Sequence, residues 1–212
     1  MTKKEKAELV LKLLDKYVPD PKIPLKHTSP YTLLVATLLS AQCTDERVNV
    51  VTEKLFKIAN TPKKMSQLEQ SELKEVIQSC GLSNNKSKAL ISLSKQILEQ
   101  FDGKIPRTFE ELESLPGVGH KTASVVMAQA FNIPAFPVDT HIHRVAKRWG
   151  LSNGKNVKQT EEDLKNSSRK TGGLKLICKL FYLRENTAGQ KVIKNQSALF
   201  VPAFPSDCPI FA

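Results

Sequence analysis

Residues 31–42, YTLLVATLLSAQ, are apolar nearly all round. A helix with no polar face has nowhere to sit except inside a shell of other elements. This stretch therefore predicts a central buried helix, and the segments around it have to supply its walls. Ser29-Pro30 marks its start, with a capping hydroxyl and a proline suited to the first helical turn.

The walls read as amphipathic helices. Near the N-terminus Leu9, Val10, Leu13 and Leu14 form one apolar stripe, followed by a connector rich in proline (Pro19, Pro21, Pro24). Thr44 is placed to cap DERVNVVTEKLFKIA, where Val48, Val51 and Leu55 share a face. Ser71 is the expected cap of ELKEVIQSC, which stops at Gly81. NNKSKALISLSKQILEQF runs up to the Gly103 break. Thr108 and Glu111 have the spacing of a capping box before a short helix. HKTASVVMAQAF is closed by Asn132 and Pro134. In VDTHIHRVAKRWG, Asp139 or Thr140 serves as cap and Ile142 and Val145 face inward. No segment alternates as a strand does, so the fold class is all-α with short connections.

Charge bears on the partner. Of 212 residues, 32 are Lys or Arg and 21 are Asp or Glu, a net charge of +11. That surplus suits a polyanion such as DNA or RNA. No apolar run approaches the roughly 18 residues that span a bilayer, and the basic N-terminus lacks the apolar core of a signal peptide. The four cysteines, Cys43, Cys80, Cys178 and Cys208, contain no C-x-x-C pair and read as reduced cytosolic thiols.

Chemistry concentrates in LPGVGHKTA, residues 115–123. Gly117 and Gly119 allow positive φ and a close backbone approach, and a helix start lies just behind them. Such a turn makes an anion cradle, or simply a turn between helices. Lys121 falls in the first turn of that helix, where the helix dipole disfavours a cation and so lowers its proton affinity. A lysine placed there suits either a phosphate contact or a neutral amine nucleophile. Asp139 is an N-cap candidate, and also a carboxylate able to offset a developing cation. His141 and His143, two positions apart, point to different helix faces and make a poor metal pair.

The run LPGVGHKTASVVMAQAFNIPAFPVDTHIHRVAKRWG closely resembles the helix-hairpin-helix and catalytic motif of the endonuclease III family of DNA glycosylases. LLSAQCTDERVN at 38–49 and GLSNNKSKAL at 81–90 resemble two further family stretches, in the family's order and spacing. The resemblance runs from about residue 5 to 165. It implies a two-domain helix-hairpin-helix glycosylase fold with the active-site cleft between the domains. The expected domains are 21–134, with six helices and the hairpin, and 1–20 together with 135–165; residues 166–212 form an aberrant tail.

By the same resemblance, Lys121 matches the nucleophile and Asp139 the catalytic carboxylate. Gln42 and Leu82 match residues that fill the gap left by an extruded nucleotide. Leu115, Gly117, Val118, Gly119, His120 and Thr122 match the DNA-phosphate clamp, with His120 where the family commonly has arginine. Relatives specific for adenine or thymine mismatches generally lack the lysine. The implied activity is therefore removal of oxidised pyrimidines from duplex DNA, with abasic-site β-lyase activity, by a cytoplasmic bacterial monomer without a membrane partner. Two alternatives stand beside it: a glycosylase of the same fold for another lesion or mismatch, and a catalytically impaired DNA-binding protein.

The resemblance fails in the tail. From Asn166 to Ala212 the only acids are Glu185 and Asp207. The family usually carries a 4Fe–4S cluster there on four closely spaced cysteines. This chain has only Cys178 and Cys208 in that region, 30 positions apart, so no metal site and no cofactor is expected for the chain as written. Joining each codon's third base to the next codon's first two uncovers a second message. With permitted third bases, 170–172 give NW, 176–188 give HLQIILFAREHC, 197–201 give CPIC, and 206–207 give a stop codon. The order matches the family's W…H…LI.FGR..C segment leading into the cluster. A shift of reading frame in the coding DNA near residues 165–170 accounts for both observations.

Overall fold

The computed structural model describes Glu5, Glu8 and residues 24–168, with Pro134, Phe136, Pro137 and Asp139 excepted. Among the described residues all regular structure is helical. The chain divides into two compact units, one of which is residues 24–133; the described residues from 135 onward belong to the other.

In the first unit the buried helix is α1, Pro30–Leu39. Ser29 and Thr32 close a capping box, Pro30 opens the first turn, and every residue from Tyr31 to Leu39 is buried. Around α1 stand α2 (Asp45–Ile58), α3 (Pro62–Ser66), α4 (Gln70–Val76), a 3-10 turn (Gln78–Cys80), α5 (Ser83–Phe101), α6 (Phe109–Glu113) and α7 (His120–Ala130). Thr44 caps α2, accepting from the Arg47 amide. The hydroxyl of Thr108 caps α6 in the same way, accepting from the Glu111 amide at 3.3 Å. Each such cap satisfies one amide that the helix itself leaves without an acceptor.

Two local expectations change. Ser71 does not cap α4: the helix begins one residue before it, at Gln70, behind Glu69, and no side chain caps it. The Leu73 amide already has the Glu69 carbonyl at 3.1 Å, so Ser71 lies inside the first turn. The segment 62–66, given no element from sequence, is a helix, with Thr61 accepting from the Lys64 amide and Pro62 in the first turn. Five residues are too few for a periodic stripe, so only the cap announced it.

Packing within this unit joins α1 to α2 and α7, α3 and α4 to α5, and α6 to α7. One buried polar link crosses the core. The Ser94 hydroxyl donates to the Leu90 carbonyl at 2.6 Å, and the Tyr31 hydroxyl lies 2.7 Å from it. Burial pushes the Tyr31 phenol well above its usual range, so it holds its proton and donates.

The second unit contains α8 (Thr140–Arg148) and α9 (Val157–Ser168), packed together. Ile142 and Val145 are buried, as the apolar spacing requires. Helix α9 was not anticipated; the Asn156 side chain accepts from the Gln159 amide at 2.7 Å and starts it. His143 reaches across to it, with Nδ1 2.8 Å from the Thr160 hydroxyl. No described helix is long and apolar enough to cross a membrane.

Candidate nucleic-acid interface and catalytic lysine

The turn between α6 and α7 is held by short local bonds. The Val118 amide donates to the Leu115 carbonyl at 3.1 Å, and the Ala123 amide to the Gly119 carbonyl at 3.0 Å. Leu115 and Val118 are buried, so their side chains anchor the turn and leave only backbone for a ligand. Thr122 is half-buried, while Lys121 and His120 are exposed.

The two glycines have different jobs. Gly117 has φ +79°, and a Cβ on it would stand 2.8 Å from Ala89 Cβ and 3.2 Å from Leu38 Cδ1. Gly119 does not use the positive φ open to it. It is the N-cap of α7 at φ −94°, in extended backbone. A Cβ there would meet nothing within 4 Å. Gly117 is a packing requirement of the fold. Gly119 leaves open space in front of the helix start and offers no capping side chain. Open space at a helix N-terminus is what an approaching anion needs.

Gly117 also explains what gathers the other predicted residues. Its two close neighbours are Leu38, near the end of α1, and Ala89, near the start of α5. Four residues beyond Leu38 comes Gln42, exposed, with φ +57°. Seven residues before Ala89 comes Leu82, the N-cap of α5, with φ +50° and 53% exposed. The two residues that the hairpin turn packs on thus stand on the elements that lead to the Gln42 loop and from the Leu82 loop.

His120 is engaged within the hairpin. Its Nδ1 lies 2.6 Å from Glu113 Oε1. Its ring stacks on Phe109 with centroids 5.3 Å apart. Asp139, the expected carboxylate partner of Lys121, lies outside the described residues, as do Cys178 and Cys208.

One residue that the sequence reading passed over proves central. The Lys86 ammonium donates to three carbonyls: Leu39 at 2.9 Å, Ala41 at 2.8 Å and Cys80 at 2.8 Å. Burial pushes its proton affinity below the usual lysine range, and the nearby Cys80 and Cys43 thiols act the other way. The signal was present: Lys86, Leu90, Leu93 and Ile97 form one buried stripe of α5, and a lysine on an apolar stripe is anomalous.

The fit to an iron–sulfur cluster fails on the cysteines. Cys43 and Cys80 both lie in the first unit, as free thiols near enough to influence one another. Only Cys178 and Cys208 remain elsewhere in the chain. Among the described residues no group of three or more His, Cys, Asp or Glu could hold a metal ion.

A large open concavity of about 690 Å³ lies elsewhere in the first unit, lined by residues such as Tyr31, Asn60, Phe101, Arg107 and Phe131. It contains none of the predicted site residues.

Comparison with known proteins adds the following. Residues 35–170 match the family model of HhH-GPD superfamily base excision DNA repair proteins. Endonuclease III of Escherichia coli K12 is 44% identical over 164 residues, 77% of this chain and 77% of its own. The structure of a trapped covalent intermediate of endonuclease III with DNA, an estranged-adenine complex, superimposes with a TM-score of 0.79 at 37% identity, covering 87% of each chain. A non-covalent endonuclease III–DNA complex gives 0.78 at 33% identity, covering 92% of this chain and 100% of that one.

Proposed function

The chain belongs to the HhH-GPD superfamily of base excision DNA repair proteins, and from that premise we infer that it is a bifunctional DNA glycosylase and abasic-site lyase acting on oxidised pyrimidines in duplex DNA. The observation that carries the reading is the exposed Lys121 in the first turn of α7, directly behind the open N-cap at Gly119.

The work divides accordingly. Backbone amides around Gly117 and Gly119 hold a phosphate, fixing the strand's register without reading its bases. A damaged pyrimidine leaves the stack at lower cost than an intact one. The Lys121 amine attacks the sugar C1′; the bond from C1′ to the base breaks, and the base leaves with the pair of electrons and takes up a proton. Asp139 offsets the positive charge that develops on the sugar. The attacking amine loses a proton and the C1′–O4′ bond breaks, opening the sugar ring to a protonated Schiff base and leaving a hydroxyl at C4′. This acidifies the C2′ proton, whose loss expels the 3′ phosphate by breaking the C3′–O bond. We assign the domain limits as 21–134 and 1–20 with 135–165, and a monomer working on DNA in the bacterial cytoplasm.

The test is borohydride trapping on abasic duplex DNA, which reduces a Schiff base to a stable covalent link. Lys121→Ala abolishes it; normal trapping by that variant would sink the assignment. A duplex carrying thymine glycol beside one with an abasic site separates the alternatives. Cleavage of both supports the full reading, and cleavage of the abasic duplex alone points to another lesion or mismatch.

Binding without cleavage supports an impaired DNA-binding protein. The cysteine set favours that second reading, because a chain unable to hold the family's usual cluster forgoes the support it lends. The family match stops at residue 170, beside the proposed shift of reading frame at 165–170.

A further inference from the structure

Lys86 is 5% exposed, and each N–H of its ammonium has a backbone acceptor within 2.9 Å. A neutral amine has only two N–H groups, so the three-carbonyl cage is built for the charged form. The three carbonyls come from two separate segments. Leu39 and Ala41 lie at the end of α1, where a helix presents carbonyls that lack internal donors and favours a cation. Cys80 closes the 3-10 turn.

What leaves those two segments is unusual. Gln42 follows Ala41 directly, and Leu82 follows Cys80 by two residues. Both adopt left-handed backbone, at φ +57° and φ +50°, which residues other than glycine take up only at a cost. Both point no burial back into the fold: Gln42 is exposed, and Leu82 is 53% exposed. A strained backbone that exposes a leucine returns nothing to stability. Strain of this kind persists where the surrounding structure imposes it, and the Lys86 ammonium ties both segments at once.

We propose that Lys86 is a positioning residue that sets the separation between Gln42 and Leu82, so that amide and leucine enter the duplex together when the nucleotide is extruded. The proposal rests on the glycosylase reading above. It assigns Lys86 no contact with DNA; it acts through the two side chains whose loops it ties. The hairpin turn at Gly117 packs on Leu38 of α1 and on Ala89 of α5, the helix that carries Lys86.

The experiment uses the full chain and Lys86→Met, which keeps the length and removes the donors. Base extrusion is read from the fluorescence of 2-aminopurine placed beside an abasic site, and Schiff-base formation from borohydride trapping. The expected result is a fall of about tenfold or more in extrusion and duplex cleavage, with trapping on single-stranded abasic DNA kept within about twofold. In a Gln42→Ala/Leu82→Ala background the same substitution adds little, because residues acting as one unit are not additive. Equal losses on duplex and single strand, or full additivity in that background, overturn the proposal. Rates are scaled to the folded fraction from circular dichroism. Should Lys86→Met not fold, Lys86→Gln, which keeps two donors, takes its place under the same criteria. Absence of trapping by the unaltered chain on any abasic DNA sinks the enzyme reading itself, and this proposal with it.

Discussion

The Cβ of Ala89 stands 2.8 Å from where a Cβ on Gly117 would lie. Ala89 Cβ is fixed to the backbone of α5 and cannot swing away, so the hairpin meets α5 with no room for a methyl group. Gly117 at φ +79° and Gly119 at φ −94° therefore predict opposite phenotypes. Gly117→Ala combines a left-handed alanine with overpacking, a loss of about 2–4 kcal/mol. Gly119→Ala costs less than about 1 kcal/mol but weakens binding to abasic duplex, because the methyl occupies the space left for a phosphate. Urea unfolding and a DNA titration on both variants check the contrast; equal destabilisation would refute it.

His120 Nδ1 is held 2.6 Å from the Glu113 carboxylate. That carboxylate offsets any positive charge the imidazole carries, so the clamp is weaker than an arginine would make it. His120→Arg is expected to tighten binding to duplex DNA roughly three- to tenfold at low salt. It should also steepen the dependence of log affinity on log salt by about one unit. Affinity measured across a salt series is the check, and an unchanged slope shows that residue 120 does not reach a phosphate.

Burial pushes the Cys80 thiol up to about 11; the adjacent Cys43 adds to the effect, while Lys86 and Arg47 oppose it. The raised value favours the protonated form in the folded chain, so below about pH 9 the thiolate is scarce. At pH 8.5 alkylation of Cys80 in the folded protein should run about a hundredfold slower than in the urea-unfolded chain. The rate should climb as the pH rises toward 11. Peptide mapping after timed iodoacetamide treatment measures it. Fast labelling at pH 8.5 would show that the 3-10 turn opens readily.

With four cysteines in the whole chain, two of them, Cys43 and Cys80, in the first unit, the purified protein should show no visible iron–sulfur absorbance. A stoichiometric cluster would contradict the cysteine argument. Resequencing the coding DNA across residues 165–170 tests its explanation, and an intact frame there removes it. A chain expressed with the alternative frame restored should take up iron and sulfide.

Much of this fold was legible because it is written locally. Ser29-Pro30, Thr44 and Thr108 announce helix starts through contacts three residues away, and the buried stripe of α1 needs no partner to be recognised. The hairpin was legible for the same reason, since LPGVGHKTA carries its own turn and helix start. Helix α3 is only five residues long, too short for a periodic stripe, and neither it nor α9 is legible in this way.

By itself, then, the sequence determined the longer helices of the first unit, the caps at Ser29, Thr44 and Thr108, the hairpin and the family. Tertiary structure alone decided the rest, because it depends on residues far apart in the chain. Gly117 must be glycine on account of Ala89, 28 positions earlier. Lys86 is a cage rather than a surface charge because Leu39 and Ala41 lie 47 and 45 positions away in the chain yet within hydrogen-bond reach. The loops that carry Gln42 and Leu82 are tied to one another through that ammonium. Backbone carbonyls carry no side-chain signature, so a site built from them is written nowhere in the order of the residues.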